Sequence, residues 1–78
     1  MVTSAQNPMN SHLVLHRHYK GGLYIVLGVA RGTEDNNDYV VYQAIGSAPM
    51  YVRPFENFYG EVILPNGNKI TRFTVVHN

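Results

Sequence analysis

His18-Tyr19-Lys20-Gly21-Gly22-Leu23-Tyr24-Ile25-Val26-Leu27 is the stretch on which the reading of this chain turns. Its first half is basic and aromatic and ends in two glycines, which permit a turn that residues with a Cβ would resist. Its second half is an apolar run that opens the longest strand candidate, over 23–31. Leu23, Ile25, Leu27 and Val29 form one row of that strand, and Tyr24, Val26, Gly28 and Ala30 the other. Both rows begin apolar, then the second becomes small. Gly28 and Ala30 predict a bend there, as a strongly curved small sheet requires.

Upstream, 13–19 reads as a first strand with Leu13, Leu15, Arg17 and Tyr19 on one face and Val14, His16 and His18 on the other. Downstream, Gly32-Thr33-Glu34-Asp35-Asn36-Asn37-Asp38 is a turn by composition. A second core strand follows over 39–45, broken by Gly46-Ser47-Ala48-Pro49. A short strand over 50–53 is stopped by Pro54, which removes a ladder donor. Phe55 and Phe58, three apart, match a single helical turn with both rings on one side. Two apolar runs, 61–64 and 69–76, flank Pro65-Asn66-Gly67-Asn68, a strong hairpin signal. The predicted fold is mainly β: a small, strongly curved antiparallel SH3-like barrel with one short helical turn. It occupies residues 12–78 behind a flexible N-terminal leader over 1–11.

Composition bounds the function. At 78 residues the chain is near the lower limit for a self-sufficient core, burying only about 60% of its unfolded surface. It has no cysteine, so neither disulfides nor thiolate metal sites supplement 45% apolar residues. Homodimerisation is the natural supplement, since it covers the edges a small sheet leaves open. A net charge of +1 with 14% charged residues falls short of a dedicated nucleic-acid binder, so any anion site must be local. No segment has the apolar length of a membrane span. The leader lacks the basic start and apolar run of a secretory signal, so a cytoplasmic protein is expected.

His16 and His18 share a strand face and could grip a metal between them, but a stable zinc site wants three or four ligands. His12 and His77 lie near the termini and there is no cysteine; no metal and no cofactor is predicted. Lys20 beside Gly21-Gly22 resembles a phosphate-binding turn without the spacing of a P-loop, so an exposed lysine is the simpler reading. Arg53 is stiffened by Pro54 and shares a face with Tyr51. Its guanidinium can stack on rings and read carboxylate or phosphate. Equally, it can cover the barrel mouth and pair with Glu56 or a carbonyl. Arg72 has the same two readings, the structural one favoured. Of the tyrosines, Tyr24 and Tyr42 suit the core, and Tyr19, Tyr51 and Tyr59 the surface. Glu34, Asp35 and Asp38 cluster in a turn, Glu56 and Glu61 stand apart, and Ser4, Ser11 and Ser47 lack a nucleophile's strained elbow. No catalytic residue is assigned.

In order and spacing, His18-Tyr19-Lys20-Gly21, Tyr24/Val26/Gly28/Ala30, Val40-Val41-Tyr42-Gln43-Ala44, Val52-Arg53-Pro54 with Phe58, and Arg72-Phe73 form a set. It resembles an uncharacterised bacterial family, the domain of unknown function 1653, over residues 16–73. The resemblance implies a compact, SH3-like β-domain with no assigned reaction or ligand. Gly32-Thr33 stands where family members often carry histidine and serine, and the segment before Val52 is shorter than usual.

The functional expectation is a non-catalytic binding module with a basic-aromatic face built from His16, His18, Lys20, Tyr51 and Arg53. Its ligand would be a peptide, an oligonucleotide or a phosphorylated small molecule, so protein and nucleic acid both remain open as partners. The alternatives are a small histidine-dependent hydrolase or lyase, and an oligomeric structural accessory.

Overall fold

The computed structural model describes residues 13–77; the leader expected over 1–11, and His12, lie outside them. The elements run β1 (Val14–His18), β2 (Leu23–Arg31), β3 (Asp38–Ala44), β4 (Met50–Pro54), α1 (Phe55–Phe58), β5 (Glu61–Ile63), β6 (Lys69–Thr71) and β7 (Phe73–Val75). Five strands form one antiparallel sheet in the order β4-β3-β2-β1-β7, and β5 pairs with β6 alone. The fold is mainly β with one short helical turn, as the strand spacing predicted.

The barrel, however, is not closed: among the described residues β4 and β7 are both edges, with no ladder between them. Curvature still brings the two sides together. Phe73 of β7 lies 5.5 Å from the ring of Tyr42 on β3, although β1 and β2 separate those strands in the sheet. Arg53 of β4 reaches across to within 6.0 Å of the Phe73 ring centroid. Side chains, not backbone hydrogen bonds, span the gap.

The bend expected at Gly28 is a β-bulge, with a consequence for face assignment. Val26 opposes Tyr42 and Gly28 opposes Val41, leaving Leu27 unpaired. The extra residue shifts the strand's parity. Val29 therefore opposes the fully buried Val40 and joins the row of Tyr24 and Val26, instead of continuing that of Leu23, Ile25 and Leu27.

The run expected over 69–76 is two strands, interrupted at Arg72. There the Arg72 N–H donates to the Gly60 carbonyl (2.9 Å) and its own carbonyl accepts from the Tyr19 N–H (2.9 Å). One residue thus hands the chain from the hairpin to the main sheet. The hairpin itself turns at Gly67, in the left-handed region with φ 89°, whose N–H donates to the Leu64 carbonyl (2.8 Å).

The core lies on the concave face: Val26, Val40, Tyr42, Phe58 and Phe73, with His16 buried among them. α1 supplies the plug, because Phe58 stacks on Phe73 with ring centroids 4.0 Å apart and planes 4° from parallel. Phe55 does not share that burial; it is 42% exposed and packs against Tyr59. Glycine is required just after the helical turn, at position 60, because a Cβ there would sit 2.6 Å from the Glu56 carbonyl oxygen. Among the described residues, no helix is long and apolar enough to cross a membrane.

Candidate functional site

β1 presents Val14, His16 and His18 to the concave face, where His16 opposes Tyr24 on one side and Val75 on the other. The strand ends in a tight turn. The His18 N–H donates to the Gly22 carbonyl (2.8 Å) and the Gly21 N–H to the His18 carbonyl (2.7 Å). Gly21 meets this geometry with φ 107°, which a side chain would resist. The same turn brings the Lys20 N–H to Nδ1 of His18 (3.1 Å). That nitrogen therefore accepts, and the neutral ring carries its proton on Nε2.

Cations surround this imidazole. Its pKa is held below the ordinary histidine value, first by burial, then by the charges of Arg53, Lys20 and Arg72. The ring lies 4.6 Å from that of Tyr19 and edge-on to Phe73 at 4.8 Å. Lys20 Nζ stands 5.8 Å from the Tyr19 ring centroid.

β4 delivers Tyr51 and Arg53 to the same face, opposite Tyr42 and Val40. Arg53 Nε donates to the Tyr42 hydroxyl (2.9 Å) and Nη1 to Asn57 Oδ1 (2.6 Å). Arg72 Nε donates to the Asn57 carbonyl (3.0 Å). One residue of α1 therefore ties two guanidinium groups that come from opposite sides of the open sheet. Glu56, offered with a backbone carbonyl as a structural partner for Arg53, is not used. The one ion pair among the described residues joins Arg31 to Asp38, elsewhere on the molecule. His18, Lys20, Arg53 and Arg72 gather without a carboxylate.

The five residues predicted as a site therefore divide. His18, Lys20 and Arg53 converge, and Tyr51, 44% exposed, flanks them with its ring tilted on Tyr42 at 5.8 Å. His16 stands apart. It is 2% exposed, gives its Nδ1 proton to the Val14 carbonyl (3.0 Å) and meets the Tyr59 hydroxyl at Nε2 (3.3 Å). It is packed edge-on against Phe58 and Tyr59. Burial pushes the Tyr59 hydroxyl pKa up. Beyond this pair opens a mostly apolar cavity of about 460 Å³ between Val14, Val26, Val29, Val75, His16 and Tyr59.

Two residues of this surface, the cation Arg72 and the amide Asn57 that ties it to Arg53, were not in the predicted site. Arg72 carried a signal, its Arg72-Phe73 pairing, but a single strand over 69–76 hid the crossover that turns it inward. Asn57 carried none. Elsewhere, the Asp35 carboxyl is held below the usual carboxylate range chiefly by the Tyr39 hydroxyl, and the Asn37 N–H also donates to it (3.0 Å). Asp35 and, through Arg31, Asp38 are thus engaged within and beside their own turn. Among the described residues no group of three or more His, Cys, Asp or Glu side chains could hold a metal ion.

A family model described as protein of unknown function (DUF1653) matches residues 14–75. The structure is similar to a crystal structure of a protein belonging to DUF1653 from Bordetella bronchiseptica. The two are 32% identical with a TM-score of 0.71, over 87% of this chain and 91% of that one. No curated protein matches the sequence.

Proposed function

The chain belongs to the DUF1653 family, and from that premise we propose that it is a non-catalytic module that binds a phosphate-bearing ligand. The surface would be the one formed by His18, Lys20, Arg53 and Arg72 around Phe73. A single observation carries the reading: these four side chains converge from β1, its turn, β4 and the β6–β7 crossover, with no carboxylate partner among the described residues. Structural cations usually end on acids. Here they end on a side-chain amide, a hydroxyl, a carbonyl and aromatic faces, which leaves the positive charge uncompensated for an arriving anion.

His18 supports the same reading. With Nδ1 engaged by the turn, its Nε2–H is a neutral donor beside two guanidinium groups. Tyr19 and the exposed Tyr51 add ring surface at the rim, so the ligand best suited is a nucleotide unit, whose base stacks while its phosphate meets the arginines.

The test is a titration of the protein with a nucleoside monophosphate and with a short single-stranded oligonucleotide, followed by imidazole and tyrosine NMR shifts. The expected result is a localised shift at His18, Tyr19 and Tyr51, with affinity falling as salt rises. Absence of any shift at millimolar nucleotide, or an affinity indifferent to salt, overturns the reading.

A further inference from the structure

Among the described residues β4 is an edge with no strand on its outer side. It pairs with β3 alone, and Met50, Tyr51 and Val52 are 65%, 44% and 60% exposed. Natural edges are blunted by lysines, inward charges, bulges or a covering element. β4 keeps an unbroken register with β3, and its one charged residue is Arg53. Two protective devices are present, the inward-turned Arg53 and Pro54, and both lie in the last two residues of the strand, so Met50, Tyr51 and Val52 are left open. The other edge, β7, has three residues and begins with the buried Phe73.

The strand is also complementary to its own reverse. If two copies pair antiparallel about a two-fold axis through Val52, the two Val52 residues face each other. Tyr51 then faces the other copy's Arg53, and Met50 the other copy's Pro54. No like charges stand directly opposite each other. On the concave face each guanidinium is set against a ring, and on the convex face every cross-strand neighbour is apolar. We propose that two copies of this chain join through β4 in this register, making the two five-stranded sheets one continuous sheet. The pairing buries Val52 and Met50 and brings the basic-aromatic surfaces of the two copies side by side.

Sedimentation equilibrium and crosslinking test this. Wild type should be dimeric at micromolar concentration. Val52→Lys sets two ammonium groups against each other at the axis and should weaken association by at least ~10-fold, or about 1.4 kcal/mol. Circular dichroism should show the fold kept, since the residue is exposed. Ile63→Lys, on the exposed face of the hairpin, should leave the dimer intact. The chain has no cysteine, so Val52→Cys gives a clean second measure. Facing residues of an antiparallel pair lie about 4.5–5.5 Å apart at Cα, within disulfide reach of about 4.4–6.8 Å, so oxidation should yield a covalent dimer. A monomeric wild type overturns the proposal, including the case in which β4 takes up a foreign peptide instead. So does a dimer that survives Val52→Lys and fails to crosslink, or one that Ile63→Lys dissolves.

Discussion

His16 and His18 sit two residues apart on one face of one strand, and they live in opposite chemistries. His16 gives its Nδ1 proton to a carbonyl, is sealed by Phe58 and Tyr59, and borders a cavity walled mainly by valines. His18 accepts at Nδ1, carries its proton on Nε2, and stands among three cations. The strand that carries them is the same. What differs is what the fold brings over each: α1 over the first, and the edges of an open sheet over the second. Position along a strand decides which face a side chain joins, and the non-local neighbours decide what it can do there.

Phe58 is where that comparison breaks most easily, since it packs on His16 at one end of the face and on Phe73 at the other. It is fully buried. Phe58→Ala should cost about 3–5 kcal/mol, a large share of the ~5–15 kcal/mol a small domain has. Urea unfolding measures it. A loss below about 1 kcal/mol would mean the two ends do not depend on a common plug.

Next in size is the separation of roles. His16 is 2% exposed and packed against Phe58 and Tyr59, so His16→Ala opens a gap in the core and should cost about 1–3 kcal/mol of stability while nucleotide affinity holds. Arg72→Gln should do the reverse, costing at most about 1 kcal/mol of stability for its lost bond to the Asn57 carbonyl while affinity falls about ten-fold, for a charge-assisted contact worth about 1.4 kcal/mol. Denaturation and NMR titration on both variants decide it. If His16→Ala weakened binding as much as Arg72→Gln, the two histidines would serve one site after all.

Much of this was legible in the sequence, for physical reasons that differ by residue. Strand positions followed from alternation and from Gly/Pro punctuation, which act locally. So did the turn at Gly21 and the hairpin at Gly67. The shared face of Tyr51 and Arg53 followed from a period of two. The bulge at Leu27 was legible as a bend but not as a parity change, because a glycine announces flexibility without saying which residue goes unpaired. The open edge between β4 and β7, and Asn57's bridge across it, were not legible. Both depend on curvature summed over a whole sheet. For the same reason Glu56, close in sequence, stood beside a backbone carbonyl as a candidate structural partner of Arg53, whose partners are Tyr42 and Asn57.

The smallest effect, and the one that sharpens the comparison most, is the pH dependence His18 contributes. Its folded-state pKa is depressed, by burial first and then by Arg53, Lys20 and Arg72, below an unfolded value of about 6.5. Between those two values the unfolded chain binds more protons than the folded one. Stability therefore rises with pH through that window, levels off above about pH 6.5, and is lost as the medium becomes more acidic. Chemical denaturation at pH 5 and pH 7 should show a smaller difference in His18→Asn than in wild type. Sulfate, a dianion throughout this range, supplies the opposite charge that the cationic group lacks and should raise the folded pKa of His18. It should flatten the slope in wild type and leave that of His18→Asn alone. Equal flattening in both would mean that the anion acts through bulk solvent, and that the cations around Phe73 hold the sheet's open side together without receiving a ligand.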